Sequence, residues 1–346
     1  MSEGKEPHVR RKRYRGSHPR SFSEKYKEQH PEMYREDLER VLARGDTPAG
    51  SHRPICVAEI LGILAPRPGD IAVDATLGYG GHARKILEAI VPGGRLYGLD
   101  RDPLELARTS GRLAAEGFGE DVFVPVHSNF SMLRQVLDDA DLRGVDLFLA
   151  DLGVSSMQID DPERGFSWKR RGPLDMRMDP GRGPTAREYL ATASEETLRS
   201  ILEANADEER AGAVAKAVFL RRDRLVTTRD LAEAICSAFP DLAFKDPAMT
   251  RILRRAFQAI RIEINGEFSA LESLLAVLPA CLNPGGRAAF LCFHSGEDRR
   301  VEAWMKAGFE SGAFSAVADE PVRPGRDEQY ANPRSSSAKL RWAVRA

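Results

Sequence analysis

Glycines and acidic residues recur in this sequence where short apolar runs end. The segment LGYGGH at residues 77–82 directly follows the apolar run IAVDAT at residues 71–76. Glycines in such a turn let the backbone approach a ligand and adopt positive φ at little cost. Asp100 ends the next apolar run, and Asp151 ends a later one. Because an acid at the end of such a run accepts hydrogen bonds from ribose hydroxyls, the pattern predicts a nucleoside-containing cofactor.

Two cofactors fit this glycine pattern. The spacing of Gly78, Gly80 and Ala83 is an allowed variant of the dinucleotide fingerprint. A turn of the same kind binds S-adenosylmethionine in methyltransferases. The turn alone therefore leaves a nicotinamide-dependent dehydrogenase and a methyltransferase open. We identify no hydride-transfer site in the sequence, and this favours the methyltransferase.

The segment DLGVSSMQ, residues 151–158, stands where amino-methyltransferases place the loop that contacts the acceptor. Methyl transfer from a sulfonium is an in-line displacement that depends mostly on positioning. A carboxylate can hold the N–H of an amine whose lone pair is conjugated into a ring, and so improve the amine as a nucleophile. Asp151 could do this, or could bind the ammonium group of the cofactor's methionine. Ser155 and Ser156 join Asp151 as catalytic candidates.

The elements that carry these residues alternate between strand and helix. Apolar runs predict strands at residues 71–76, 94–100, 122–126 and 145–151, and helical patterns lie between them. This alternation predicts a parallel, doubly wound α/β sheet, which binds ligands outside the carboxyl ends of its strands. Gly80, Asp100 and Asp151 all fall at those ends.

A long helical segment separates the fourth strand from the next buried one, at residues 287–293. A crossover between parallel strands needs only a dozen or more residues, so the segment must form a unit of its own. Its helical patterns lie at residues 186–190, 195–204, 208–222, 228–239 and 249–264. We therefore predict an inserted helical domain at residues 161–265, within a Rossmann-like domain made of residues 51–160 and 266–346.

Residues 1–50 form a distinct basic extension. Through residue 27 it holds nine Lys or Arg against three Glu, and residues 28–44 show a helical pattern. Such a block is either a solvated tail or an arm that follows a phosphate backbone.

Composition limits the function classes. The chain has 42% hydrophobic and 30% charged residues and a net charge of −1, as expected for a soluble globular protein without an overall polycationic character. None of its four cysteines belongs to a Cys-x-x-Cys unit, so we predict neither a metal site nor a disulfide framework. No run of 18 apolar residues occurs, and we expect a cytoplasmic protein that does not span a membrane.

Several longer motifs resemble one family, the RsmH (MraW) methyltransferases, from about residue 51 to the C terminus. The motifs are DATLGYGGH at residues 74–82, DRDP at 100–103, DLGVSS at 151–156, DPERGFS at 161–167, GPLDMRMD at 172–179, FQAIRI at 257–262 and FHS at 293–295. The resemblance implies a class I S-adenosylmethionine-dependent methyltransferase fold with a helical insertion. It also implies methylation of the N4 amine of a cytosine in 16S ribosomal RNA, with the small-subunit RNA or ribosomal particle as partner and a homodimer as an option.

The resemblance also implies roles for individual residues. The implied cofactor-binding residues are Gly80, Gly81, His82, Asp100, Phe130, Asp151 and Gln158. A basic and aromatic stretch beside the proposed active site is expected to hold RNA, because arginines bind phosphates and aromatic rings stack on bases. Its residues are Arg164, Phe166, Trp168, Lys169, Arg170, Arg171 and Arg177.

The sequence departs from the family pattern at some positions. Gly296 replaces a usual Leu, Asp246 replaces a usual His, and the extension before residue 51 lies outside the common pattern. Two alternatives therefore stay open: a divergent paralogue that methylates another RNA site, and a non-catalytic RNA-binding protein of ribosome assembly. A C5-cytosine mechanism is disfavoured, because that chemistry needs a nucleophilic Cys and no Pro-Cys or Thr-Cys pair occurs.

Overall fold

The computed structural model describes residues 54–346. The basic extension and its predicted helix at residues 28–44 lie outside these residues. Within the described part, we number helices and strands in chain order.

A seven-stranded sheet forms the centre of the molecule, in the order β3-β2-β1-β4-β5-β7-β6. Its strands are β1 (Ile71–Asp74), β2 (Arg95–Asp100), β3 (Phe123–His127), β4 (Val145–Asp151), β5 (Leu282–Cys292), β6 (Phe314–Val317) and β7 (Lys339–Arg345). The strands β1 to β5 pair in parallel, whereas β7 is antiparallel to both β5 and β6. The strand order reverses between β1 and β4, the point where such sheets bind ligands.

Helices cover both faces of the sheet. They are α1 (Val57–Leu64), α2 (Gly81–Ile90), α3 (Pro103–Ala115), α4 (Leu133–Asp139), α5 (Ser156–Asp160), α11 (Glu267–Cys281), α12 (Ser295–Glu310) and α13 (Arg326–Ala331). Side chains alternate between faces along each strand, so Phe148 packs with α4, α11 and α12, while Leu147 and Leu149 pack with α1 and α2. This architecture confirms the α/β, Rossmann-like fold that the sequence predicts.

A third hydrophobic core lies wholly within the stretch from Phe166 to Ile260. It joins the helices α6 (Ala186–Thr192), α7 (Glu195–Ala206), α8 (Ala211–Phe219), α9 (Thr228–Cys236) and α10 (Pro247–Asn265). This core is separate from the two cores that flank the sheet. We therefore propose that residues 161–265 form an inserted domain, as the sequence predicts. Among the described residues, no helix is both long and apolar enough to cross a membrane.

Candidate active site

The glycine turn after β1 is shaped by close packing. Gly80 has φ +75° at the start of α2, and a Cβ there would lie 2.6 Å from Cγ2 of Thr109. Thr109 also donates its hydroxyl hydrogen to the carbonyl of Gly78 at 2.6 Å. Gly81 begins α2 and faces Pro54, whose Cγ a Cβ would approach to 2.9 Å. The turn therefore excludes side chains at two of the positions that the sequence predicted to bind cofactor.

Asp100 holds this turn in place from the end of β2. Its Oδ2 accepts the backbone N–H of Gly78 at 2.7 Å, and its Oδ1 accepts that of Asp102 at 2.8 Å. Burial raises the pKa of Asp100 to about 6, against the lowering effect of these two hydrogen bonds. Each carboxylate oxygen has a second lone pair, so Asp100 can still accept hydrogen bonds from ribose hydroxyls.

Asp151 ends β4 next to Thr76 and the buried His82. Its backbone N–H donates to Oγ1 of Thr76 at 2.6 Å, and its Oδ2 lies 3.7 Å from Nε2 of His82. Burial, together with the negative charges of Asp74 and Glu297, raises the pKa of Asp151 to about 8. Burial lowers the pKa of His82 to about 4, so His82 is neutral at pH 7.

Asp74, which the sequence motif included without a role, completes this acidic group. It is 2% exposed, and burial raises its pKa to about 7. Raised carboxyl pKa values mark places where a cation would be stabilised, because a positive charge restores the ionised form. S-adenosylmethionine carries a sulfonium and an ammonium group, and Nε2 of His82 is buried without a hydrogen-bond partner among the described residues. The site's donors and acids therefore fit this cofactor.

Ser155 and Gln158 shape the loop that follows Asp151. Oγ of Ser155 accepts the N–H of Gln158 at 3.1 Å, and Oε1 of Gln158 accepts the N–H of Ser155 at 3.0 Å. This reciprocal capping starts α5, in which Ser156 is the first residue. The side chain of Gln158 also donates to Oδ2 of Asp102 at 3.0 Å. Phe130 begins a 3₁₀ turn after β3 and packs, partly buried, against the core that contains Phe148.

The residues predicted to bind RNA lie in different surroundings. Arg164 donates to Oδ2 of Asp102 at 2.6 Å and to the carbonyl of Met178 at 2.7 Å, with only 11% of its side chain exposed. The guanidinium of Arg177 donates two hydrogen bonds to the carboxylate of Asp175. These two arginines are thus bound to acids of this chain.

The aromatic members of that stretch pack inside the insertion. Phe166 is 6% exposed within its core, and Trp168 contacts Phe257 edge to face at 5.5 Å between ring centroids. Lys169, Arg170 and Arg171 are exposed. The predicted RNA contacts remain predictions, and in this conformation only these three of the seven residues present largely exposed side chains.

A buried ion-pair group beside the Asp151 loop was missed by the sequence reasoning. Oε1 of Glu297 lies 3.0 Å from Nε2 of His294, and its Oε2 accepts the N–H of Phe293 at 2.8 Å. With Glu267, these side chains place ligand atoms within 4.8 Å of one another, as a metal site would. However, Arg261 binds both oxygens of Glu267, so the group already contains a cation and we assign no metal to it. The FHS and FQAIRI motifs contain His294 and Arg261 of this group, but neither residue was given a role from the sequence.

Comparison with known proteins agrees with this geometry. The MraW methylase family matches residues 49–346. A ribosomal RNA small subunit methyltransferase H 1 from Lachnoclostridium phytofermentans is 45% identical over 100% of this chain and 95% of its own length. A ribosomal RNA small subunit methyltransferase H from Sorangium cellulosum is 42% identical over 85% of this chain and 90% of its own. The basic extension, expected outside the common pattern, is therefore matched in a relative that aligns with the whole chain.

Among solved structures, an rRNA methylase from Streptococcus thermophilus resembles this chain with a TM-score of 0.38 and 12% identity, over 85% of this chain and 97% of its own. This chain belongs to the MraW methylase family and is a class I methyltransferase that uses S-adenosylmethionine.

Proposed function

We propose that this protein methylates the N4 amine of a cytosine in small-subunit ribosomal RNA. The proposal depends mainly on the position of Asp151. This residue ends β4 beside the cofactor turn, and the loop that follows it leads to Ser155, which caps α5. The relatives' names, which specify small-subunit ribosomal RNA, supply the substrate class.

The residues of the site suit transfer to a conjugated amine. Bound S-adenosylmethionine would supply a methyl group on a positively charged sulfur. Asp100 and the turn at Gly80 would hold the nucleoside part, and Asp151 would accept an N–H of the amine and localise its lone pair. Neutral His82, whose Nε2 lies 3.7 Å from Oδ2 of Asp151, would place no charge beside that carboxylate. Positioning would then provide most of the rate enhancement.

The exposed residues Lys169, Arg170 and Arg171 would contact RNA phosphates at the start of the insertion. An RNA substrate of this kind would place the protein in the cytoplasm. We retain a homodimer as a prediction from the resemblance.

Labelled methyl transfer tests the proposal. The protein is incubated with methyl-labelled S-adenosylmethionine and small-subunit particles from cells that lack it, and the RNA is digested to nucleosides. We expect the label in N4-methylated cytidine. Label in another nucleoside would indicate a divergent paralogue, and binding without transfer would indicate a non-catalytic assembly factor.

A further inference from the structure

A buried threonine joins two distant segments of the insertion. Oγ1 of Thr228 donates to the carbonyl of Arg170 at 2.9 Å and accepts the N–H of Gly172 at 3.2 Å. The N–H of Thr228 donates to the carbonyl of Gly172 at 3.0 Å, and Leu174 donates to Val226 at 3.1 Å. Residues 172–174 therefore pair antiparallel with residues 226–228.

This antiparallel pairing places two basic segments, which are far apart in sequence, near its two opposite ends. Residues 169–171 precede one strand of the pair, and a 3₁₀ turn, Arg222–Arg224, precedes the other. From Thr228 back to Arg224 the chain spans four residues, or about 13 Å at about 3.3 Å per residue. We call Lys169, Arg170, Arg171, Arg221 and Arg224 the basic ridge.

The charges of the ridge are not neutralised within the described chain. None of its five side chains forms an ion pair with a described residue, whereas Arg177, Arg199 and Arg229 of the insertion are all paired with acids. Each of the five is exposed.

The acids near the ridge are few. Asp223 lies within the 3₁₀ turn, and Asp230 is close enough to Arg171 for its pKa to be lowered in part by that charge. The Oδ2 of Asp230 also accepts the backbone N–H groups of Val226 and Thr227 at 3.1 and 2.7 Å. The ridge therefore keeps a net positive charge.

Apolar surface borders these charges. Leu220 is 67% exposed and Val226 is 45% exposed. The guanidinium of the neighbouring Arg222 lies 4.1 Å from the ring centroid of Phe219. Sites that bind single strands combine cations that contact the phosphates with flat side chains that contact the bases, and Phe219 beside Arg222 is a ring of this kind.

We propose that the basic ridge binds the phosphates of single-stranded RNA that flanks the methylated cytosine. The inference rests on the proposed function and adds Arg221 and Arg224 to the RNA contacts. The ridge begins five residues after Arg164, which is tied to Asp102 beside the cofactor turn, so an RNA strand leaving the active site would reach it. RNA is favoured over an acidic protein because the charges lie along an extended pairing with apolar surface beside it.

Neutralising each half of the ridge tests the proposal. One variant carries Arg221→Gln and Arg224→Gln, and a second carries Arg170→Gln and Arg171→Gln. The matched control, Arg67→Gln with Arg143→Gln, removes the same charge from exposed positions of the sheet domain. Binding of small-subunit RNA by the full-length enzyme, saturated with S-adenosylmethionine, is titrated at several salt concentrations.

Each phosphate contact on a single strand contributes about 0.7 to the slope of log affinity against log salt. Each ridge variant removes two such contacts and should therefore lower the slope by about 1.4. The corresponding loss at 0.15 M salt is on the order of tenfold. Arg221→Lys with Arg224→Lys should keep most of the binding, because phosphate contacts need the charge. Melting temperature and cofactor affinity should match the wild type.

Wild-type slopes in both ridge variants, or an equal loss in the control, would overturn the proposal, as would binding of an acidic protein instead of RNA. Methyl transfer by the wild-type protein, measured in parallel, separates the two claims. Absence of transfer to cytosine refutes the proposed function, whereas transfer with unchanged variant slopes refutes the ridge alone.

Discussion

Three carboxyl groups at one edge of the sheet have raised pKa values. These values are about 7 for Asp74, about 6 for Asp100 and about 8 for Asp151, with burial as the main cause in each. Near neutral pH the free protein therefore carries part of these groups in protonated form. A ligand with two cationic groups shifts nearby carboxyls towards the ionised form, because opposite charge lowers a carboxyl pKa.

Binding of S-adenosylmethionine should therefore release protons near pH 7. Affinity should rise as pH increases from about 6 to about 8, since the ionised form binds the cation and predominates above the pKa. Calorimetry in two buffers of different ionisation enthalpy measures the protons released, and Asp151→Asn should reduce their number. Equal binding enthalpies in both buffers, with a flat affinity profile, would contradict the assignment.

Replacing Asp100 should weaken the cofactor complex. We expect Asp100→Ala to lose about 1.5–3 kcal/mol of binding free energy, as for a charge-assisted hydrogen bond. The substitution also removes the acceptor of the backbone N–H groups of Gly78 and Asp102, which donate to the Asp100 carboxylate. Calorimetry measures the loss, with Asp70→Ala as a control on an exposed loop outside the site. Unchanged affinity would remove Asp100 from the cofactor site.

Local sequence patterns indicated individual candidate residues, but they did not indicate which other residues each one contacts. Asp100 and Asp151 could be found because each ends an apolar run, a local signal. Arg164 was assigned to RNA as a member of a basic and aromatic stretch beside the proposed active site. Its bond to Asp102, 62 positions away, was not predicted. Such pairing depends on tertiary contacts, which no local pattern reports.

At the scale of elements, local patterns predicted the parallel strands well. The strand at Val145–Asp151 was predicted with its bounds, and the one at Arg95–Asp100 to within one residue. The strand β5 begins earlier than predicted, at Leu282, because it pairs with Val145 ahead of a register shift. The predicted helix at residues 208–222 is shorter, Ala211–Phe219, since a 3₁₀ turn follows at Arg222. The antiparallel β6 and β7 were not predicted, because their pairing joins distant segments.

The Asp102–Arg164 pair connects the sheet with the start of the insertion. Asp102 caps α3 through the N–H groups of Leu104 and Glu105, and Arg164 also binds the carbonyl of Met178. Both side chains are largely buried, at 1% and 11% exposure. The pair therefore fixes where the insertion leaves the sheet.

Breaking this pair should destabilise the protein strongly. Arg164→Met leaves the buried Asp102 without its partner charge and should cost about 3–5 kcal/mol of unfolding free energy. Asp102→Asn in the same chain should recover part of the loss, because the uncompensated charge is removed. Urea unfolding measures both variants, with Arg199→Met on the exposed surface of α7 as a control. A loss below about 1 kcal/mol would mean that the pair is not a structural tie.

At the scale of the whole molecule, charge is unevenly distributed. Residues 1–27 hold nine Lys or Arg against three Glu, on a chain whose net charge is −1. This asymmetry is the basis for the alternative between an RNA-binding arm and a solvated tail.

Deleting residues 1–27 should distinguish these two roles. If the arm follows RNA phosphates, the deletion weakens RNA binding and lowers the salt slope by about 0.7 for each lost contact on a single strand. Cofactor affinity should stay the same, because Gly80, Asp100 and Asp151 are retained. Titration of small-subunit RNA at several salt concentrations makes the comparison. Superimposable slopes would leave the segment a solvated tail.

Mapping of methylated cytosines in small-subunit RNA tests the central claim most directly. Mass spectrometry compares RNA from cells that contain the protein, cells that lack it, and deletion cells that express either the wild type or Asp151→Ala. The account predicts that an N4-methyl group on cytosine disappears in the deletion, returns with the wild type, and stays absent with a folded Asp151→Ala protein. Unchanged cytosine methylation in the deletion cells, or full restoration by Asp151→Ala, would contradict it.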